Sequence, residues 1–497
     1  MENINNKMAK GAAWMVIFKL AGRSIAIVST MILARLLIPG DFGLIAMAMS
    51  VIAILELMSA FGFDMALIQN QNANDSHYNT AWTYNVIFGL VSAVILILIA
   101  SPIASFYNES RLENIVYVLA VGAAIQGFEN VGVVEFRKEM QFRKEFYFLV
   151  AKKIIGFLIV IPCAYFIRNY WALVAGIVGL KFGSVILSYL VHSYKPKFSL
   201  SASHDLFNFS KWLLLTHIFS FLKTRSSDFV IGRELGAKSL GLYTISNEIS
   251  EMPSTEIVMP INRAIFPGFA KLSHNIKYLR ESFIKVLSVI AIFAIPAGVG
   301  LASTAEYVVL IMLGNKWIEA ISLIEIIAYA GSITALQTNI PYVYFALNKP
   351  KITTFINIAY VLTLIPMLII FTDLYGLKGA AYSYLLTTAT ILPLNLYILS
   401  KYINTTIFHY ISALWRPVFA ALLMYISINL LNSLLITSGF VSIKIVTLLL
   451  LTSFGAIIYF IALGALWYLS GKPLSSEVDI YLKVKIYLQN RFFTSGS

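Results

Sequence analysis

Apolar runs of about twenty residues or more follow one another almost without pause along this chain. A helix of that length crosses the ~30 Å hydrocarbon core of a bilayer. Fourteen such segments are read, at 11–37, 41–69, 80–106, 112–135, 146–167, 170–194, 205–232, 238–267, 279–302, 317–346, 351–372, 376–400, 408–432 and 442–469. Hydrophobic residues make up 59% of the 497 and charged residues 12%, a balance foreign to water-soluble domains. The expectation is an all-α integral membrane protein with about fourteen transmembrane helices.

Loop charge sets the orientation. With the N-terminus inside, the inner loops hold Arg137, Lys138, Arg143, Lys144, Lys195, Lys197, Lys271, Lys277, Arg280, Lys349, Lys351 and Lys401. The tail adds Lys472, Lys483, Lys485 and Arg491. The outer loops are poorer in Lys and Arg, so both termini are expected in the cytoplasm. The inner loop 70–79 carries neither residue and gives no support. Lys7 and Lys10 precede a first run that is long and interrupted by charge, so it reads as an uncleaved span and not a signal peptide. The net charge of +13 follows this loop pattern and does not imply nucleic acid. A single cysteine, Cys163, excludes an internal disulfide and a cysteine-based metal cluster. The tail 472–497 alternates apolar and basic residues and reads as an interfacial helix.

The chain repeats itself at an offset of 198 residues. Trp14 matches Trp212, Ser29 matches Ser227, Arg35 matches Arg233, Gly43 matches Gly241 and Leu44 matches Leu242. Six spans separate the copies, so both halves run the same way through the membrane. The expected division is 1–200, 201–404, two further helices in 405–470, and a tail from 471.

Charges inside the spans carry the functional reading. Each costs a few kcal/mol at the bilayer centre and is tolerated where it meets protein or water. The first span holds Lys19 and Arg23 on one face with Gly11, Met15, Gly22, Ala26 and Thr30. Two cations beside small residues suit a bulky anion; an interhelical salt bridge to Glu56 or Asp64 of the second span is the alternative. The seventh span carries Lys211, His217, Lys223, Arg225 and Asp228, and Arg225 is spaced to pair with Asp228. The eighth holds Asn247, Glu248, Glu251, Ser254, Thr255, Glu256 and Arg263, with Pro253 breaking the helix. Lys181 of the sixth has Gly179 and Gly183 nearby. Candidate cavity residues are therefore Lys19, Arg23, Lys181, Lys211, Arg225 and Arg263. Glu56, Asp64, His217, Asp228, Glu248 and Glu251 are candidates for ion coupling or pairing.

Neither a Gly-x-x-x-x-Gly-Lys run, nor His-Glu-x-x-His, nor Gly-x-Ser-x-Gly occurs. No catalytic function, cofactor or metal is expected, and the short loops leave no room for the outer catalytic domain of a polymerase or glycosyltransferase.

The segment Ile32-Leu33-Ala34-Arg35-Leu36-Leu37-Ile38-Pro39-Gly40-Asp41-Phe42-Gly43-Leu44 resembles the opening of Wzx-type polysaccharide-repeat flippases. Phe136-Arg137-Lys138-Glu139-Met140-Gln141-Phe142 and Tyr375-Gly376-Leu377-Lys378-Gly379-Ala380-Ala381 extend the resemblance over most of the chain. It implies the multidrug/oligosaccharidyl-lipid/polysaccharide (MOP) exporter fold, two six-helix lobes around a cavity that opens alternately to each side. It implies an undecaprenyl-pyrophosphate-linked oligosaccharide as cargo, the bacterial inner membrane as location, and polysaccharide polymerase machinery as a partner. A lipid II flippase and a drug-extruding antiporter are the alternatives; the cations of the first span count against the second. Protons, sodium ions and the membrane potential stay open as driving forces. The topology predicts that a reporter active only outside the cytoplasm, fused after Ser470, gives no signal; strong activity there overturns the fourteen-span reading.

Overall fold

The computed structural model describes residues 22–59, 67–68, 70, 72–437 and 443–471. In chain order the helices are α1 (22–36), α2 (Pro39–Ser59), α3 (Asp75–Tyr107), α4 (Arg111–Gly127), α5 (Glu135–Lys138), α6 (Phe142–Ile167), α7 (Trp171–Val191) and α8 (Ser203–Ser250). They continue as α9 (Met259–Leu272), α10 (Ile276–Ser303), α11 (Ala305–Met312), α12 (Ala320–Gln337), α13 (Ile340–Ala346), α14 (Pro350–Ile403), α15 (Ile407–Thr437) and α16 (Lys444–Leu469). Among the described residues there is no strand, and eight helices are long and apolar enough to cross hydrocarbon, nine if a bent pair is one span. Leu98, Phe166, Leu190 and Leu469 lie largely exposed, as side chains facing lipid do.

Two helices are too long for one crossing. The 54 residues of α14 would span about 80 Å as a single rod, and α14 breaks at Gly376 (φ +58°). The 48 residues of α8 break at Gly236 (φ +75°). Both glycines occupy a left-handed conformation that other residues rarely adopt. The expected span 112–135 is also not straight: α4 and the segment Val131–Lys138 meet at 68°. The span at 238–267 passes through a π-helical turn at Pro253–Val258, where the proline was expected to interrupt it.

The chain divides into two compact units, Met1–Thr244 with Met312–Trp317, and Ile245–Ile311 with Ile318–Ser497. In the first unit α3 packs on α4, α6 on α7, and α4 on α7. Gly176, Gly179 and Gly183 of α7 sit against Val160, Ile159 and Ile155 of α6. Small residues let membrane helices approach closely where no hydrophobic force drives them together.

The repeat meets itself inside this unit. A side chain at Gly43 would collide with the Ala237 carbonyl, and one at Gly241 would collide with the Pro39 carbonyl. The contact is reciprocal at the 198-residue offset. The stretch Met312–Trp317 closes the same region: Trp317 is fully buried, its Nε1 donates to the Ala34 carbonyl at 2.8 Å, and Phe42 meets its ring edge-on at 5.2 Å. Lys316 Nζ lies 3.2 Å from the carbonyls of Arg35 and Leu36 and 3.5 Å from that of Leu37, covering the C-terminal carbonyls of α1. The interval 303–316 between two expected spans thus contains a helix, and an anchoring turn closes it.

In the second unit α10 packs on α12 and α15, α12 on α14, and α15 on α16. Phe283, Ile290, Tyr344, Leu399, Tyr410 and Leu451 share its apolar core. Tyr459 of α16 donates to the Ile292 carbonyl at 2.9 Å, which fixes the last two helices within this unit.

Gly43→Ala and Gly241→Ala are expected to destabilise the protein by about 1–3 kcal/mol or more, because each new methyl group meets backbone. Gly464→Ala, where nothing lies within 4 Å, is expected to be neutral or slightly stabilising. Thermal unfolding in detergent measures the contrast, and equal stability of all three variants removes the close helix crossing.

Candidate functional site

Basic side chains gather in the first unit. Arg23 is half-buried on α1. Beside it, the Gly22 carbonyl accepts from Lys153 Nζ of α6 at 3.4 Å. One residue earlier, Lys152 Nζ contacts both Glu129 oxygens, at 2.9 and 3.2 Å. Ser184 of α7 donates to Glu129 Oε2 at 2.9 Å. Lys181, one turn before Ser184, is half-buried with its stem against Gly122 of α4. A lysine–glutamate–serine group thus ties α6 and α7 to the bend after α4, with further cations close by in sequence on α6 and α7. Gly179 and Gly183, on either side of Lys181, accommodate isoleucines of α6.

The bend that positions Glu129 is held by side chains. Gly132 N donates to Asn130 Oδ1 at 2.9 Å, Asn130 N donates to Ser188 Oγ at 2.9 Å, and Asn130 Nδ2 donates to the Tyr194 carbonyl at 2.7 Å. Backbone freed from a helix near a membrane must be satisfied in this way. Tyr194 lies beyond the end of α7, where its hydroxyl donates to Asn79 Oδ1 at 2.8 Å. Burial pushes this phenol up to about 12, so it stays a donor at neutral pH.

Arg225 Nη1 donates to Asp228 Oδ2 at 3.0 Å, the pairing the spacing predicts. Asp228 is buried and Arg225 half-exposed, so the pair is local and one end still meets solvent-accessible space. Nearby, Tyr107 shares a hydrogen bond with Ser50 at 2.9 Å and stacks on Phe229.

In the second unit the polar stripe of the eighth span has a definite partner. Tyr384 of α14 donates to Glu251 Oε1 at 2.7 Å, and the Tyr384 hydroxyl lies 3.4 Å from Thr334 Oγ1 of α12. Gly331 of α12 lets the Ser250 carbonyl come close. Glu248 and Glu256 are half-buried. Lys19 and Asp64 lie outside the described residues, as do the side chains of Glu56, Lys211, His217 and Arg263.

The sequence reading passed over Lys152, Lys153, Glu129 and Arg416. The two lysines lie inside the expected span 146–167, and an ionisable residue in a span is itself the signal. Arg416, only 6% exposed on α15, gave the same signal. Glu129, inside the expected span 112–135, gave it too, but its partners are set by the bend, which the sequence does not announce.

Bilayer-length helices with no strand among the described residues, and polar groups paired among them, define a multi-pass membrane protein, and its fold is shared with two solved transport proteins. A structure of the lipid II flippase MurJ in an inward closed conformation matches with a TM-score of 0.73 at 13% identity, covering 91% of this chain and 99% of that one. An inward-facing MATE family multidrug resistance transporter of the MOP superfamily matches with a TM-score of 0.61 at 13% identity, covering 79% and 99%. At such identity these likenesses establish fold alone. The chain belongs to the family described as polysaccharide biosynthesis protein, whose model matches residues 32–322. It is 25% identical over 437 residues to the lipopolysaccharide biosynthesis protein WzxC of Escherichia coli K12, covering 84% of this chain and 86% of that protein. It is 24% identical over 338 residues to the succinoglycan biosynthesis transport protein ExoT of Rhizobium meliloti, covering 67% and 68%.

The Lys152–Glu129 pair lends itself to a double-mutant cycle. Lys152→Ala leaves the carboxylate without its cation, so it should cost more stability than the double variant with Glu129→Ala. A coupling of about 1 kcal/mol is expected from denaturation of the four proteins. Additive single effects would mean that the contact contributes nothing.

Proposed function

We propose that this chain is a flippase that carries undecaprenyl-pyrophosphate-linked oligosaccharide repeat units across the bacterial cytoplasmic membrane for surface polysaccharide assembly. The observation that carries the reading is cationic side chains within the spans of the first unit, Arg23, Lys153, Lys181 and Arg225, in a chain of the polysaccharide biosynthesis family. The names of WzxC and ExoT support the polysaccharide class and, for ExoT, transport.

The physical task matches these residues. A sugar head group cannot enter hydrocarbon alone, because every hydroxyl would lose its water without replacement. Polar helix faces replace that water. Lysine and arginine bind phosphate oxygens through charge-assisted hydrogen bonds, and arginine adds a bidentate fork. The lipid tail stays in the bilayer. Both termini lie in the cytoplasm in this reading, alternating access moves the head group, and a polymerase receives it on the far side. A drug antiporter shares the fold, but cations in the first span repel a cationic drug.

Arg23→Ala combined with Lys19→Ala is expected to abolish surface polymer while the protein still reaches the membrane. Complete lipid-linked units should accumulate on the inner leaflet. Arg23→Lys should retain partial export, keeping the charge without the fork. Normal surface polymer in the double variant sinks the proposal. Altered resistance to cationic drugs with intact polymer supports the antiporter, and incomplete repeat units point to a glycosyltransferase.

A further inference from the structure

Two of the acidic candidates in the spans have described side-chain partners, and the partners differ in kind. Asp228 is bonded to the Arg225 guanidinium, so its negative charge is matched. Glu251 is bonded to a phenol: Tyr384 donates to Oε1 at 2.7 Å, and among the described residues Glu251 makes no ion pair. Tyr384 is itself buried, with Thr334 Oγ1 at 3.4 Å and Tyr360 close enough to bear on it electrostatically.

Among the described residues, the side chains that continue the hydrogen bonding from Glu251, Tyr384 and then Thr334, are neutral. Gly331 packs against the Ser250–Glu251 turn, and its helix α12 brings Thr334 toward the pair. From α14 come Tyr384 and, beside it, Tyr360. Glu248 and Glu256 are the titratable groups on the same segment. Glu251 lies about 22 Å along the helix from the break at Gly236, near the middle of the expected span 238–267. A carboxylate at such depth without a cation is costly, and one neutral hydroxyl offsets only part of that cost. Adding a proton to a carboxylate oxygen removes the charge and leaves an acid that still accepts from Tyr384 through its other oxygen. Glu251 is half-buried, which leaves a route for the proton to and from water. It also stands just before the π-helical turn Pro253–Val258, where the helix is already interrupted: the Ser254 and Thr255 hydroxyls donate to its carbonyl at 3.1 and 3.2 Å.

We propose that Glu251 is a proton-binding site, taking one proton from the aqueous phase onto a carboxylate oxygen and returning it, with Tyr384 as its hydrogen-bond partner. In the flippase reading on which this coupling role rests, the protonation change accompanies cargo movement. A sodium site is the competing reading, and the response to sodium at fixed pH separates the two.

Infrared difference spectra of the full chain in lipid vesicles, taken against pH at fixed sodium, read the proton directly. The expected result is a protonated-carboxyl band that titrates, is lost in Glu251→Gln and is kept in Glu251→Asp. In Tyr384→Phe its midpoint should rise by about one to two pH units, since a donor to the charged form is gone. A band that persists in Glu251→Gln, or that responds to sodium at fixed pH, overturns the proposal. Surface polymer separates the two levels. If deleting the whole chain leaves polymer intact while the band behaves as expected, the flippase reading falls and the proton site stands. If deletion abolishes polymer but Glu251→Gln exports normally at every pH, the coupling role falls.

Discussion

Hydrocarbon offers a polar group nothing to bond to, and the placement of helix, break and charge in this chain follows from that. Every long segment is helical because the helix satisfies its own backbone. Where a helix stops inside a span, a substitute is at hand. The Asn130 side chain and the Ser188 hydroxyl serve the bend after α4, and the Ser254 and Thr255 hydroxyls serve the π-helical turn. The same rule sorts the ionisable residues. Lys152 meets Glu129, Arg225 meets Asp228, and Glu251 meets a phenol in place of a cation. Burying such groups is costly enough that well-packed apolar replacements are often equally or more stable.

The crossing of two glycines gives the repeat its physical meaning. Gly43 and Gly241 each lie against the turn that precedes the other, so the start of α2 and the second arm of α8 approach to backbone contact. That approach places residues up to Thr244 in the first compact unit, although the repeat itself begins anew near residue 200. Backbone conformation carries the repetition further than side chains do. Met140 and Asn348 both adopt positive φ, as do Arg168 and Gly376, and each pair is 208 residues apart. The offset has grown from 198 because the second half carries additional chain, including α11 and the turn Asn315–Trp317, where the first half joins Tyr107 to Arg111 by three residues.

Much of the fold was legible because hydrocarbon thickness imposes a length on apolar runs, and the described residues of each expected span are mostly helical, with breaks at 128–130, 251 and 338–339. The pairing of Arg225 with Asp228 was legible because it depends only on spacing along one helix. The Lys152–Glu129–Ser184 group was not, since it needs three segments brought together at a bend that no proline marks. Tyr384 was equally hidden: it sits 133 residues from Glu251 and differs in no local way from other tyrosines in the spans. The role of the glycines around Lys181 was not legible either: Ile159 and Ile155 of α6 pack against them, a contact that only the folded pair of helices defines.

The anchoring turn Asn315–Trp317 bears on how the protein is made. Ala34 and Trp317 are 283 residues apart, yet the indole that fills the site beside Phe42 belongs to the first unit. At a synthesis rate of about 5–20 residues per second, roughly a quarter of a minute to a minute passes between the two. Through that interval the end of α1 has neither its lysine nor its tryptophan. Completion of the first unit is therefore tied to synthesis of the second unit's opening stretch, Ile245–Ile311. A chain that stops between residues 244 and 312 lacks both contacts, so the end of α1 and the start of α2 keep an unfilled seam and open more readily than in the finished protein.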